Sequence, residues 1–213
     1  MIQPALLRDR AFAGSLAANA LVSTVMMATL VVGPFYLVHG LGLDAARVGL
    51  VIAIGPVVSA LAGLPAGRLV DRFGARGMTF AGLGAVALGT GLLALTSAAL
   101  GVPGYVAPIV LTTIGYALFQ AANNTGVMAE VPQEKRGLIS GMLNLSRNLG
   151  LITGAAAMGA LFAFAAGMSE AGAVQAEAAA RGMRITFLAA AVLAALMLAG
   201  LVAVTRGAGA KRA

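Results

Sequence analysis

The chain has 213 residues, 60% of them hydrophobic and only 10% charged, with a mean hydropathy of +0.96. A soluble domain carries about 25% charge, so this composition excludes most soluble functions. Cysteine is absent, which excludes disulfides and thiol catalysis, and the formal net charge is +7.

In chain order, apolar stretches run over residues 12–38, 48–67, 78–100, 105–129, 138–166 and 185–204. A membrane span needs about 20 mostly apolar residues, and each stretch meets that length within the error of its ends. Lipid offers no partner for an open backbone. The sequence therefore predicts an all-α membrane protein, a single domain of six transmembrane helices over residues 1–213. The first stretch is too long for a signal-peptide core and follows Arg8-Asp9-Arg10, so it reads as a retained helix. The expected connections are 40–47, 68–77, 101–104 with Pro103, 130–137 with Pro132, and a longer alanine-rich segment, 167–184, with Glu170, Glu177 and Arg181. That segment has the composition of a short external helix, and residues 206–213 form a basic tail.

Sorting the basic residues by side gives a strong asymmetry. One side holds Arg8, Arg10, Arg68, Arg72, Arg76, Lys135, Arg136, Arg147, Arg206, Lys211 and Arg212, and the other only Arg47, Arg181 and Arg184. The positive-inside rule places the basic side, with both termini, in the cytoplasm of a multi-pass inner-membrane protein. The basicity is then a topology signal. Without aromatic-basic interleaving, no nucleic-acid partner is expected.

Polar residues cluster on particular spans. The third and sixth carry almost none, whereas the first carries Ser15, Asn19 and Ser23 at i, i+4, i+8, and the fourth carries Thr113, Tyr116, Gln120 and Asn123 or Asn124. Recurrence every three helices is the trace a 3+3 inverted repeat would leave. Gly63/Gly67, Gly137/Gly141 and Gly150/Gly154 are spaced to open smooth strips for close helix packing. No ionisable residue falls near the middle of a span. Glu130 and Arg147 lie toward cytoplasmic ends, and His39 reads as a boundary residue. No Ser/His/Asp set, metal-spaced cluster, Walker loop or dinucleotide turn is present. Neither an enzyme, nor a metal or other cofactor, nor an ATP-driven pump is expected.

The most specific segment is Gly67-Arg68-Leu69-Val70-Asp71-Arg72-Phe73-Gly74-Ala75-Arg76. It resembles the turn signature between the second and third helices of a major facilitator superfamily half, with Ala75 where a basic residue is usual. The stretch Glu130-Val-Pro132-Gln-Glu-Lys-Arg136-Gly137, followed by Ser140-Gly141, Asn144 and Arg147-Asn148-Leu149-Gly150, is similar to the connection into the eleventh helix of twelve-helix members. It is similar also to the matching loop of the fourteen-helix drug:proton antiporter branch. Arg8-x-x-Ala11-Phe12 and Pro34-Phe35-Tyr36 likewise resemble the C-terminal portion of that branch.

The resemblance implies a C-terminal six-helix half that transports a small molecule, such as a drug or metabolite, by alternating access against a second half. That half would be an N-terminal domain or another copy. The resemblance further implies that Asp71, framed by Gly67, Arg72, Gly74 and Arg76, latches the cytoplasmic side against a helix N-terminus of the other half. Asp71 neutralising its neighbouring arginines in a solvated turn is the competing reading. By the same resemblance Asn19, Ser23, Tyr116, Gln120, Asn123 and Asn124 would contact substrate, the alternative being polar glue between helices. In that branch acidic coupling groups lie in the other half. A truncated, non-transporting membrane fragment or interaction protein is the rival to the transporter as a whole.

Overall fold

The computed structural model describes residues 10–129, 131–167 and 176–210. Glu130, Glu170, Arg8, Lys211 and Arg212 lie outside the described residues. The helices are α1 (Arg10–Phe35), α2 (Ala45–Phe73), α3 (Ala75–Leu95), α4 (Gly101–Ala129), α5 (Arg136–Ala165) and α6 (Ala176–Ala210). All six are long and apolar enough to cross a membrane.

Several helices run past the apolar stretches that predict them, because their ends are satisfied locally. Asp44 caps α2 by accepting from the Arg47 N–H at 2.9 Å, so half of the expected 40–47 connection is helix. Between α2 and α3 only Gly74 is non-helical, at φ 83° and ψ 146°, a conformation open to glycine and hardly to other residues. The expected 68–77 loop thereby becomes a one-residue corner. Gly101 (φ 56°) starts α4 in similar fashion, and the Thr96 hydroxyl lies 3.0 Å from both the Leu92 and Gly104 carbonyls. The part of the 167–184 segment that is described, from Ala176 onward, is continuous with α6. There the Arg181 Nε donates to the Ala165 carbonyl at 2.9 Å, satisfying the end of α5.

The packing order differs from the chain order. α1 packs on α5 and α6, α4 packs on α2 and α3, and α3 packs on α6. Exchanging α1 with α4, α2 with α5 and α3 with α6 maps this set of pairs onto itself, the pattern of a 3+3 inverted repeat. α2 and α5 are not packing partners.

Close approach depends on glycine. A Cβ on Gly82 would lie 2.6 Å from the Phe119 N, and one on Gly115 2.9 Å from the Gly82 carbonyl oxygen, so α3 and α4 touch backbone to backbone. Gly150 and Gly154 do the same for α1 and α5, against Ala20 and Thr24. Of the three predicted strips, this is the one that makes contacts within the chain. Nothing lies within 4 Å of a Cβ built on Gly63, Gly67, Gly137 or Gly141. Those two strips are open surfaces of α2 and α5.

α1 ends in a π turn, Tyr36–Gly40, closed by Leu41 N donating to the Tyr36 carbonyl at 3.1 Å. Tyr36 is fully buried there beside Tyr105, with ring centroids 6.2 Å apart, and a Cβ on Gly40 would strike its ring at 2.7 Å.

Candidate functional site

Asn19, Ser23, Met26 and Leu30 recur at three- and four-residue steps and so share one face of α1. Tyr116, Gln120 and Asn124 do the same on α4. The structure joins the two faces directly: the Gln120 Nε2 donates to the Asn19 Oδ1 at 2.9 Å, and the Asn19 Nδ2 donates to the Leu143 carbonyl at 2.8 Å. Three helices, α1, α4 and α5, therefore meet at one amide. Asn19 is buried, and Ser23 is buried with its hydroxyl donating to the Asn19 carbonyl at 2.7 Å. Gln120 and Tyr116 remain partly exposed, and Asn124 is exposed.

Toward the π-turn end of α1, this wall opens into a cavity of about 200 Å³ between α1, α2, α4 and α5. Its polar groups are Thr29, Ser59, Tyr105, Thr113 and Tyr116, set among Met26, Leu30, Ile52 and Leu151. The Tyr105 hydroxyl reaches the Thr29 carbonyl at 3.5 Å, and the Thr29 hydroxyl donates to the Met26 carbonyl at 2.7 Å. Ser59 and Tyr105 were not among the residues singled out from sequence. A lone serine on α2 and a tyrosine one turn into α4 carry no pattern that marks them.

The six predicted contact residues do not form one cluster. Asn123 sits about 100° around α4 from its neighbour Asn124, is buried, and lines a different cleft, between α1, α3, α4 and α6. Other polar side chains act as interhelical ties: the Thr24 hydroxyl lies 2.9 Å from the Gly150 carbonyl, and the Ser146 hydroxyl donates to the Leu16 carbonyl at 2.5 Å.

In the α2–α3 corner, Asp71, Arg68, Arg72 and Arg76 are all exposed. Among the described residues the ion pair found is Asp44–Arg47 at 3.2 Å, and Asp71 forms none. Arg72 instead lies over the Phe73 ring, 5.2 Å from its centroid. Gly67 presents open space, and Gly74 makes the corner. The carboxylate of Asp71 is thus exposed and without an ion pair among the described residues.

α5 carries a further polar stripe that the sequence did not resolve. Gly137, Ser140, Gly141, Asn144, Arg147 and Asn148 fall on one side of the helix, and all are exposed. Because α5 begins at Arg136, Arg147 stands about 16 Å along its axis at 1.5 Å per residue. That is deeper than an apolar stretch starting at residue 138 suggests.

Comparison with known proteins agrees with the fold. "Uncharacterized transporter YebQ" of Escherichia coli K12 is 32% identical over 151 residues, covering 71% of this chain and 33% of that protein. The multidrug efflux pump LfrA of Mycolicibacterium smegmatis is 33% identical over 122 residues, covering 57% and 24% respectively. The riboflavin transporter RibZ of Clostridioides difficile is 28% identical over 130 residues, covering 61% and 28%. The chain thus spans a third or less of the length of these curated relatives. Among solved structures, a bacterial homologue of the iron transporter ferroportin in an outward-facing state superposes with a TM-score of 0.67 at 18% identity, over 92% of this chain and 46% of that one. The xylose transporter XylE from E. coli, in an inward-open conformation, gives 0.65 at 18% identity, over 91% and 47%. Residues 2–155 match the family description "Major Facilitator Superfamily". With six apolar helices in the packing order of half such a fold, this multi-pass membrane chain belongs to the major facilitator superfamily.

Proposed function

We propose that this chain is one six-helix half of a secondary transporter that moves a small molecule by alternating access, with α1 and α4 forming its wall of the substrate path. The observation that carries this reading is the polar stripe of α5. Ser140, Asn144, Arg147 and Asn148 are exposed on a helix long enough to span a bilayer. Polar side chains at membrane depth face protein or a water-filled cavity, not lipid. A second half docked along α2 and α5 gives them that environment and covers the open strips of Gly63/Gly67 and Gly137/Gly141.

Within such a pair, Tyr116, Gln120 and Asn124 offer hydrogen bonds to substrate, while Asn19 and Ser23 stand behind them and fix the wall. Asn123 belongs to the substrate path only if the bundle rearranges. Asp71 serves as the latch to the other half, its carboxylate suited to the free N–H groups of a helix N-terminus. The basic asymmetry supports cytoplasmic termini and an inner-membrane location. The matched relatives include a drug efflux pump and a vitamin transporter, which supports efflux of a drug or metabolite as the activity.

The test is transport in liposomes by the two-half protein carrying Gln120→Ala or Tyr116→Phe. Each is expected to lower uptake of the transported compound by about tenfold, the effect of losing roughly one buried hydrogen bond of 1.4 kcal/mol. Unchanged transport in both would remove α4 from the substrate path.

A further inference from the structure

We propose that the end of the bundle where α3 begins and α4 ends binds one anionic phospholipid. Its phosphate would sit at the first turn of α3, and an acyl chain would run between α1, α3, α4 and α6. A cleft of about 500 Å³ lies there, separate from the cavity beside Tyr116. Its rim and its depth differ in chemistry. At the rim, Ala75 and Arg76 line the cleft, and Arg76 is exposed. The first N–H groups of a helix have no intrahelical partner and carry the positive end of its dipole. Gly74, the N-cap of α3, supplies no side chain to satisfy them.

A second, independent observation lies one turn deeper. Asn123 lines the same cleft with 6% of its surface exposed, and its Nδ2 has no hydrogen-bond partner among the described residues. A buried amide donor without a partner is destabilising, and an oxygen-rich head group would relieve that cost. The level is fixed by neighbouring contacts. A Cβ on Gly126 would lie 3.5 Å from the Ala75 Cβ, and Gly82 meets Phe119, so Asn123 falls between these two layers.

Below it the walls are apolar, formed by Leu21, Leu83, Met197 and Leu201. Cationic and donor groups at the rim select an anion. Among the described residues no carboxylate lines the cleft, and Asp71 of the preceding turn lies outside it. The apolar depth selects a lipid over a free phosphate, since each buried CH₂ strengthens binding about fourfold. The site does not depend on what the protein transports.

Native mass spectrometry of the full chain tests this, with phosphatidylglycerol, phosphatidylcholine and inorganic phosphate as probes. The wild type is expected to retain one phosphatidylglycerol in preference to phosphatidylcholine by about fivefold, the contribution of one basic residue at a membrane surface. Arg76→Gln should abolish that preference, whereas Arg136→Gln, outside the cleft, should keep it. Gly200→Leu and Gly14→Leu add bulk to the cleft from two of its helices, α6 and α1. Neither glycine has an atom within 4 Å of a built Cβ, so the added side chains fit the helices. Both should lose retained lipid of either head group while keeping wild-type helicity. A preference that persists in Arg76→Gln, or retention unchanged in both filled variants, would overturn the proposal. Release of the lipid by inorganic phosphate would reduce the site to one for free anions, and would equally overturn it.

Discussion

Asn19 hydrogen-bonds twice, to Leu143 and to Gln120, from a buried position, while Gln120 bonds Asn19 from the edge of the wall. The two residues should therefore fail differently. Asn19→Ala removes both bonds and leaves the Leu143 carbonyl without its side-chain donor. A loss of about 1–2 kcal/mol is expected, read as a lowered thermal midpoint in detergent. Gln120→Ala loses one bond at a partly open site and should affect transport more than stability. Equal stability losses in the two variants would erase the distinction between a positioning residue and a contact residue. Asp71 gives the sharpest test at this scale. Asp71→Asn preserves shape and removes charge, and Asp71 makes no ion pair among the described residues. Membrane insertion and yield should stay near wild type while transport by the two-half protein falls. Undiminished transport would return Asp71 to the role of a solvated turn residue.

Among elements, the glycine strips divide by what they face. Gly150→Ala would place a methyl group against the Ala20 carbonyl, and Gly82→Ala would press one on the Phe119 backbone. Both should destabilise the bundle by about 1–3 kcal/mol, as overpacking does. Gly63→Leu and Gly141→Leu project into open space and should leave thermal stability unchanged. Their expected effect is on co-purification with the second half, and normal association would place that half elsewhere.

Sequence spacing alone did not separate these cases, since a repeat of four identifies a strip without naming its occupant. The same limit explains the site. Hydropathy gave the helices, and the four-residue steps of Asn19–Ser23 and Tyr116–Gln120–Asn124 gave the facing walls. Spacing did not separate Asn123 from Asn124, which face different ways because one residue along a helix is 100° of rotation. The short connections proved to be largely helix because Asp44 and Gly74 let helices start and stop within one or two residues, a feature of capping that hydropathy does not register.

For the whole molecule, the charge asymmetry predicts sidedness that can be read directly. The chain lacks cysteine, so Ser169→Cys and Ala208→Cys each introduce a single reporter. An impermeant thiol reagent applied to intact cells should label position 169 and spare 208. The opposite pattern would invert the topology.

The interleaved packing of the bundle has a consequence for how it is made. The carbonyl that receives the Asn19 amide lies 124 positions further along the chain. At a synthesis rate of about 5–20 residues per second, α1 would wait roughly 6–25 s in the membrane before α5 is even translated. For the first 101 of those positions the amide has neither Gln120 nor Leu143 to bond. The six helices thus enter as a queue and settle as a weave, and the polar groups that fix the finished wall would be the same ones that most need shelter while it is being built.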